Sequence, residues 1–460
     1  MKLFRVVLTV LSLPLMASGA AAQTNDEVFP AVQWNFSTPG ARASGMGRTF
    51  IGLADDASAA VTNPAGLVNL TKPQVYAEFK STNISVDRLA VVDSIKTRIP
   101  TAFEATVNAV PFLSYSMPMG SRLAIGVSLN QFLNYRETFT LAARTLVDQA
   151  TGNFVNNVLR GVTGDVELKA TSIAGSAAFA VTKQFSIGAT VSANVLTANT
   201  IGTRYNTIFG PTFNRPVPNT DVQASNIIVN QTSIDDTATA PGFAVGALFR
   251  PNEKISAGFN YTRSPKFTVN ERFLFNDSTT TNNPLQPFAA PRFNPPFADP
   301  TALPINVPDR FGFGVAVRPM PRLLAMVDVV GINYSSLTDD FLITISFGTP
   351  GLNPNQFKID DATEFHFGGE YTLMTGANPV FLRAGVFTDP NHSTRYTPST
   401  TLTGDDVALN TAFDAVYNLL PRETAVLGTV GAGVAIGPRV QIDAAYVHKK
   451  QFVASTAVRF

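Results

Sequence analysis

Arg383 is the residue of this 460-residue chain best placed to act on a ligand. It stands in the run VFLRAGVFT, between Phe381 and Phe387. Along an extended strand, alternation puts those three on one face and Val380, Leu382, Ala384 and Val386 on the other. A guanidinium between aromatic rings suits an amphipathic molecule: rings for an apolar tail, the cation for a carboxylate. Phe112 is a further candidate ring for this site. Glu364, His366 and Glu370 share one face of the preceding strand, and Asp328, Arg310, Arg439 and Asp443 are assigned to the same interior. These charges have a second reading, in which they pair with one another or with the leading segment of the chain. Catalytic chemistry has little to stand on. The chain has no Cys and 3 His, at 366, 392 and 448, with none at metal-ligand spacing to another. No Gly-x-Ser-x-Gly elbow occurs, and His392 and His448 are read as surface residues. The sequence calls for no enzyme activity, no cofactor and no metal. With 34 Lys+Arg against 33 Asp+Glu it carries no field that would draw nucleic acid.

The elements that position these residues are strands. Charged residues make up only 15% of the chain, and no apolar run beyond the leader approaches the ~20 residues that a membrane-spanning helix needs. From Pro73 onward the pattern repeats: an alternating segment, a short turn, an alternating segment, a long polar loop. The turns are Pro118-Met119-Gly120, Thr182-Lys183-Gln184, Arg250-Pro251-Asn252-Glu253, Arg318-Pro319-Met320-Pro321, Thr375-Gly376-Ala377-Asn378 and Ile436-Gly437-Pro438. The loops fall at 83–106, 136–164, 201–237, 268–304, 337–360 and 389–421, and Lys449-Lys450-Gln451 joins the last two strands. This gives fourteen strands, with short connections on one side and long ones on the other, the asymmetry of an outer-membrane barrel. After Lys254, Ile255, Ala257, Phe259 and Tyr261 alternate with Ser256, Gly258, Asn260 and Thr262. The last strand does the same and ends on Phe460, an aromatic terminus of the kind by which barrels are recognised for assembly. Leu141–Val162 and Asp405–Leu420 carry apolar residues near helical spacing, and a helix is expected in each.

The first residues read as a secretory signal over 1–22: Lys2 and Arg5, an apolar core, then Ala20-Ala21-Ala22. Residues 23–72 lack alternation. Asp55–Val61 reads as a short helix capped by Asp and ended by Asn63-Pro64, with Gly40, Gly45, Gly47 and Gly52 allowing tight turns. A barrel of fourteen strands encloses a lumen too wide for its own side chains to fill. The expected domains are therefore a signal at 1–22, an N-terminal hatch at 23–72 and a transmembrane β-barrel at 73–460.

The run GARASGMGRTFIGLADDASAAVTNPAGL resembles the hatch of FadL-type outer-membrane transporters for hydrophobic compounds, with Asn63, Pro64 and Ala65 on the Asn-Pro-Ala motif. LPINVPDRFGFGVAVRP, EFHFGGEYTL and FLRAGVF are similar to later stretches of that family. The resemblance implies an all-β, fourteen-stranded antiparallel barrel plugged by the hatch, carrying long-chain fatty acids or aromatic hydrocarbons. It implies release through a lateral gap beside the third strand, where Gly126 is the expected point of bending. The expected partners are a hydrophobic ligand, outer-membrane lipid and lipopolysaccharide, and the barrel-assembly machinery acting on the strand that ends at Phe460. The expected state is a monomer in the outer membrane of a Gram-negative bacterium. A related group acting in surface protein secretion shares the motif, so a barrel serving a protein partner stays open as the alternative.

Overall fold

The computed structural model describes residues 34, 36, 38–91, 98–141, 143–147, 154–159, 162–207, 221–222, 224–275, 286–287, 300–338, 357–392, 395–397 and 423–460. The expected signal at 1–22 and the expected helix at 405–420 lie outside these residues.

Alternation produces a single closed antiparallel ring of fourteen strands. We number them β1 (Gln74–Val91), β2 (Arg98–Met119), β3 (Leu123–Leu141), β4 (Val162–Ala180), β5 (Phe185–Thr207) and β6 (Ala224–Asn252). Two strands then run in two pieces: β7 as Ile255–Arg263 and Lys266–Phe275, β8 as Thr301–Asn306 and Arg310–Met320. The ring continues with β9 (Leu323–Ile332), β10 (Ala362–Met374), β11 (Val380–Asp389), β12 (Ala425–Ile436), β13 (Val440–Val447) and β14 (Gln451–Arg459). Each strand pairs with its neighbour in sequence, and β14 returns to β1 from Gln74↔Arg459 to Thr82↔Gln451. Closure gives every strand a ladder to a neighbour on both sides, so none is an edge strand.

The pleat sorts the side chains. On β3, Leu123, Ile125, Val127 and Leu129 are exposed on the outer face, while Ala124 and Ser128 are buried inside. The same apolar exterior recurs at Phe243, Val245 and Phe249 on β6, at Phe311, Phe313 and Val315 on β8 and at Phe365 and Phe367 on β10. That band faces lipid.

The strands differ greatly in height. β6 has 29 residues, β5 23 and β2 22, against 8 in β13 and 9 in β14. At about 3.3 Å of rise per residue, β6 far overtops an apolar band about 25 Å tall. Much of the expected loops at 83–106, 136–164 and 201–237 is therefore strand. Alternation there is polar outside, with Asp235, Thr237 and Thr239 exposed, and apolar inside, which reads as loop by composition. Within the tall wall Leu133, Tyr135, Leu168, Leu196, Ile234 and Phe267 pack into one core. The helix expected at Leu141–Val162 is replaced by two short strands, Ala143–Val147 and Phe154–Leu159, that pair with each other. Their register shifts between Thr145 and Val147.

Candidate functional site

Residues 38–70 touch the ring from the inside. They hold two short helices, α1 (Ala41–Gly45) and α2 (Ala59–Thr62), and a 3₁₀ turn at Pro64–Asn69. Nearly every residue between Thr38 and Leu67 is buried. α2 is shorter than the expected helix. Ser58 precedes it without a side-chain cap, and Asp56 instead accepts from the Ser58 amide at 2.9 Å and its hydroxyl at 2.6 Å. Asn63 ends the helix in extended backbone, as the Pro that follows requires. Of the four glycines expected to turn the chain, Gly40 (φ 105°) and Gly47 (φ 64°) occupy left-handed backbone.

The segment is held most firmly by β9 to β13. The Arg42 guanidinium forks onto Glu370, Nε to Oε2 at 3.0 Å and Nη2 to Oε1 at 3.1 Å, and its Nη1 reaches Asp55 at 2.6 Å. Burial works against its charge, but Asp55 and Glu370 hold it protonated well above the usual arginine range. Arg383 meets the same Glu370 at 2.8 Å through Nε and Asp443 at 2.8 Å through Nη1. One Asp328 oxygen accepts both the Phe50 and Ile51 amides, at 2.7 and 2.9 Å. His366 Nδ1 lies 2.9 Å from the Gly47 carbonyl. Asn63 of the Asn-Pro-Ala motif donates through Nδ2 to Ile51 within the segment (3.0 Å) and to Ala247 on β6 (3.1 Å).

The wall admits this segment by omitting side chains. Gly188 pairs with Gly246, Gly258 with Gly314 and Gly368 with Gly385. A Cβ on Gly368 would stand 2.0 Å from the Met46 carbonyl oxygen, and one on Gly385 2.2 Å from the Gly47 nitrogen. From β2 to β5 hydroxyls add to the contact. Ser114 donates to Ala57 O, Ser176 and Thr190 to Ala60 O, and Ser186 to Ala65 O, at 2.8 to 3.2 Å.

The residues singled out from sequence now have places. Arg383 has a fully buried side chain with two carboxylate partners, so its geometry follows the ion-pair reading. Phe381 lies beside it, 5.5 Å from ring centroid to guanidinium. Phe387 is turned to His366 and to Arg48, which lies 4.1 Å over its ring. Phe112 is not brought to Arg383; it packs edge-on against Tyr76 and beside Ala57. Arg439 is a correction: it sits exposed in the turn after β12, because the strand ends before its side chain can enter the interior. His392 is another, half-buried and stacked on Tyr334 at 4.4 Å, where burial lowers its pKa; His448 is exposed as expected. Gly126 lies in an unbroken ladder between Ser116 and Ser176. The register of β3 shifts higher up, between Gln131 and Leu133.

Sequence reasoning missed a cavity of about 190 Å³ between residues 34–62 and the upper wall. Its lining includes Trp34, Phe36, Arg48, Arg310, Tyr334 and His392. Arg310 lies 4.4 Å over the Phe36 ring and donates to the Phe36 carbonyl at 3.1 Å. Phe36 stacks on Trp34 at 6.1 Å, and Trp34 on Phe132 at 6.3 Å. Nε of both Arg48 and Arg310 is buried without a partner among the described residues. The cavity reaches Ala109, Pro111, Gln131 and Asn134. There the β2–β3 ladder, which runs from Met119↔Leu123, stops at Phe112↔Asn130. Pro111 has no N–H to continue it.

A closed ring with a lipid-facing apolar band and a buried segment against its inner face defines a β-barrel of the Gram-negative outer membrane. The chain belongs to the outer membrane protein transport family (OMPP1/FadL/TodX), whose sequence model matches residues 34–457. The fold is shared with a Pseudomonas aeruginosa FadL homologue at 16% identity and TM-score 0.58, covering 93% of this chain and 99% of that one. It is shared with the Ralstonia pickettii toluene transporter TbuX at 14% identity and TM-score 0.53, with 93% and 99% covered. The CymD monoaromatic hydrocarbon channel is similar at 16% identity and TM-score 0.54, again with 93% and 99% covered. No curated protein matches in sequence.

Proposed function

We propose that this chain is a monomeric, passive carrier of small hydrophobic molecules across the outer membrane, with residues 23–72 as a hatch and 73–460 as its barrel. The observation that carries this reading is the cavity beside Trp34, which reaches the place where β2 and β3 part. An apolar solute meets a polar surface layer outside the lipid, and a partly apolar path around the hatch lowers that barrier without any reaction. A cavity of about 190 Å³ suits an aromatic ring or a stretch of acyl chain, since engineered apolar cavities of ~150 Å³ take up benzene. Release runs sideways through the β2–β3 split, beside the register shift at Gln131–Leu133. For a fatty acid, Arg310 and Arg48 take over the carboxylate role first assigned to Arg383, because they line the cavity and Arg383 does not. Phe460, exposed at the end of β14, is the proposed contact for the assembly machinery.

Trp34 is the sole tryptophan, so the test is direct. Toluene or oleate titrated into purified protein is expected to change Trp34 emission saturably, and Arg310→Ala to weaken the response to oleate more than that to toluene. A flat titration with both, together with unchanged hydrocarbon uptake in a deletion strain, would reject the transporter reading and leave the barrel serving a protein partner.

A further inference from the structure

The ring has a second break, on the far side of the tall wall. The β6–β7 ladder climbs from Ile255↔Asn252 to Arg263↔Phe243 and stops. It resumes only at Glu271↔Ile234. Between these points, 235–242 on β6 and 264–270 on β7 share no ladder pairing among the described residues. Pro241 on one lip offers no N–H, and Pro265 on the other turns its carbonyl away from the break to accept from the Val307 amide at 3.1 Å. β7 has turned to its other neighbour: Ser264 donates to Asp309 and to the Pro308 carbonyl at 2.8 and 2.7 Å, and Lys266–Glu271 pairs with Thr301–Asn306. Across the break one side chain holds on, Asp236 accepting from the Asn270 amide at 2.8 Å and its Nδ2 at 2.9 Å.

Behind the break lies a second cavity of about 70 Å³. Ser192, Asn194 and Ala244 line it from inside, and it extends to Phe243 and Arg263, whose side chains are exposed, and to Ser264 and Pro265 at the foot of the break. The hollow thus reaches into the wall itself, at the lower end of the break. It shares Phe36 and Arg310 with the larger cavity, so the two adjoin. At its outer mouth Phe243 meets Tyr261 edge-on at 6.2 Å, and Arg263 is paired with Asp309 at 2.6 Å. Rings below and a charge pair above mark the upper edge of the apolar band, where lipid tails give way to headgroups.

We propose that this break is a second lateral portal, through which an alkyl chain passes between the barrel interior and the outer leaflet. The proposal rests on the transport reading but adds a site and a selectivity to it. The Phe243 and Tyr261 rings and the Arg263–Asp309 pair at the mouth suit a chain that carries a carboxylate, so this portal serves fatty acids rather than unsubstituted hydrocarbons.

The chain has no cysteine, which makes a clamp straightforward. Thr239→Cys with Lys266→Cys places thiols on the two exposed lips, to be joined by a short reducible bis-maleimide in protein reconstituted into vesicles. The expected result is that oleate transfer into the vesicle membrane slows several-fold and recovers on reduction, while toluene transfer and the Trp34 response to oleate stay unchanged. Ser192→Phe, which fills the hollow without touching the lips, is expected to slow oleate alone. Full cross-linking with unchanged oleate transfer would overturn the portal. So would a loss seen only when the β2–β3 split is clamped, through Val110→Cys and Arg136→Cys. A chain that never changes Trp34 emission fails at the earlier step, the transport reading itself.

Discussion

The two arcs of the ring treat the inner segment in opposite ways. From β9 to β13 it is gripped by charge: Arg42 and Arg383 share Glu370, Asp443 closes the row, and Asp328 binds two successive amides. From β2 to β5 the wall meets it through neutral hydroxyls, Ser114, Ser176, Ser186 and Thr190, and between β2 and β7 the ladder opens twice. The difference is between an arc that fixes the segment through charge and one that does so through neutral contacts. Buried ion pairs over-determine a position, because removing one partner strands the other in a dry site. Small hydroxyls fix little and leave room. On the proposed transport reading, the rigid arc anchors the segment and the loose arc bounds the path.

The comparison is broken most severely at its shared carboxylate. Glu370→Ala leaves two buried arginines one partner short each, which should cost about 3–5 kcal/mol. It should appear as a lower thermal midpoint and as steady ion conductance in planar bilayers; a silent, equally stable variant would remove the anchoring argument. Protonation comes next. Burial, with help from the Asp55 charge, pushes the Asp56 carboxyl up to about 6. Its folded value thus lies above the unfolded one, so the folded segment favours the protonated form. This group's contribution to stability is full below about pH 4, is lost as pH rises from 4 to 6 and is flat beyond, a change of up to about 3 kcal/mol. Asp56→Asn should flatten that slope in urea unfolding between pH 4 and 7. Gly385→Val drives a side chain into the Gly47 backbone at a cost of about 1–3 kcal/mol, read as partial conductance with the barrel intact. The smallest effect belongs to the loose arc. Ser128 Oγ is buried without a partner, so Ser128→Ala should stay within about 0.5 kcal/mol of the parent by thermal unfolding. A larger loss would mean that this arc is held as tightly as the other.

Much of the ring was legible because its evidence is local. Alternation, Gly- or Pro-bearing turns and Asn63-Pro64 each act over a few residues. What stayed hidden depends on register between distant strands. Arg42 and Glu370 lie 328 positions apart, and nothing near either residue says that Arg383 will share that carboxylate. Arg439 was misjudged because one residue decides whether a charge ends a strand or begins a turn. The height of β6 was misread because polar outer positions above the lipid look like loop. Pro111, Pro241 and Pro265 were in plain view as signals. A proline in an alternating run marks where a ladder stops, but only the neighbouring strand shows whether that stop becomes a bulge or an opening.

The facing glycines have a bearing on how such a wall closes. A strand displaced by a single residue turns every side chain to the opposite surface. Gly368 or Gly385 would then point to lipid, and Phe367 or Val386 would be thrust toward the backbone at Met46 and Gly47. No such arrangement leaves space for residues 38–70. Only one alignment lets the circle shut around its contents, so filling the interior and choosing the shear of the ring are a single event.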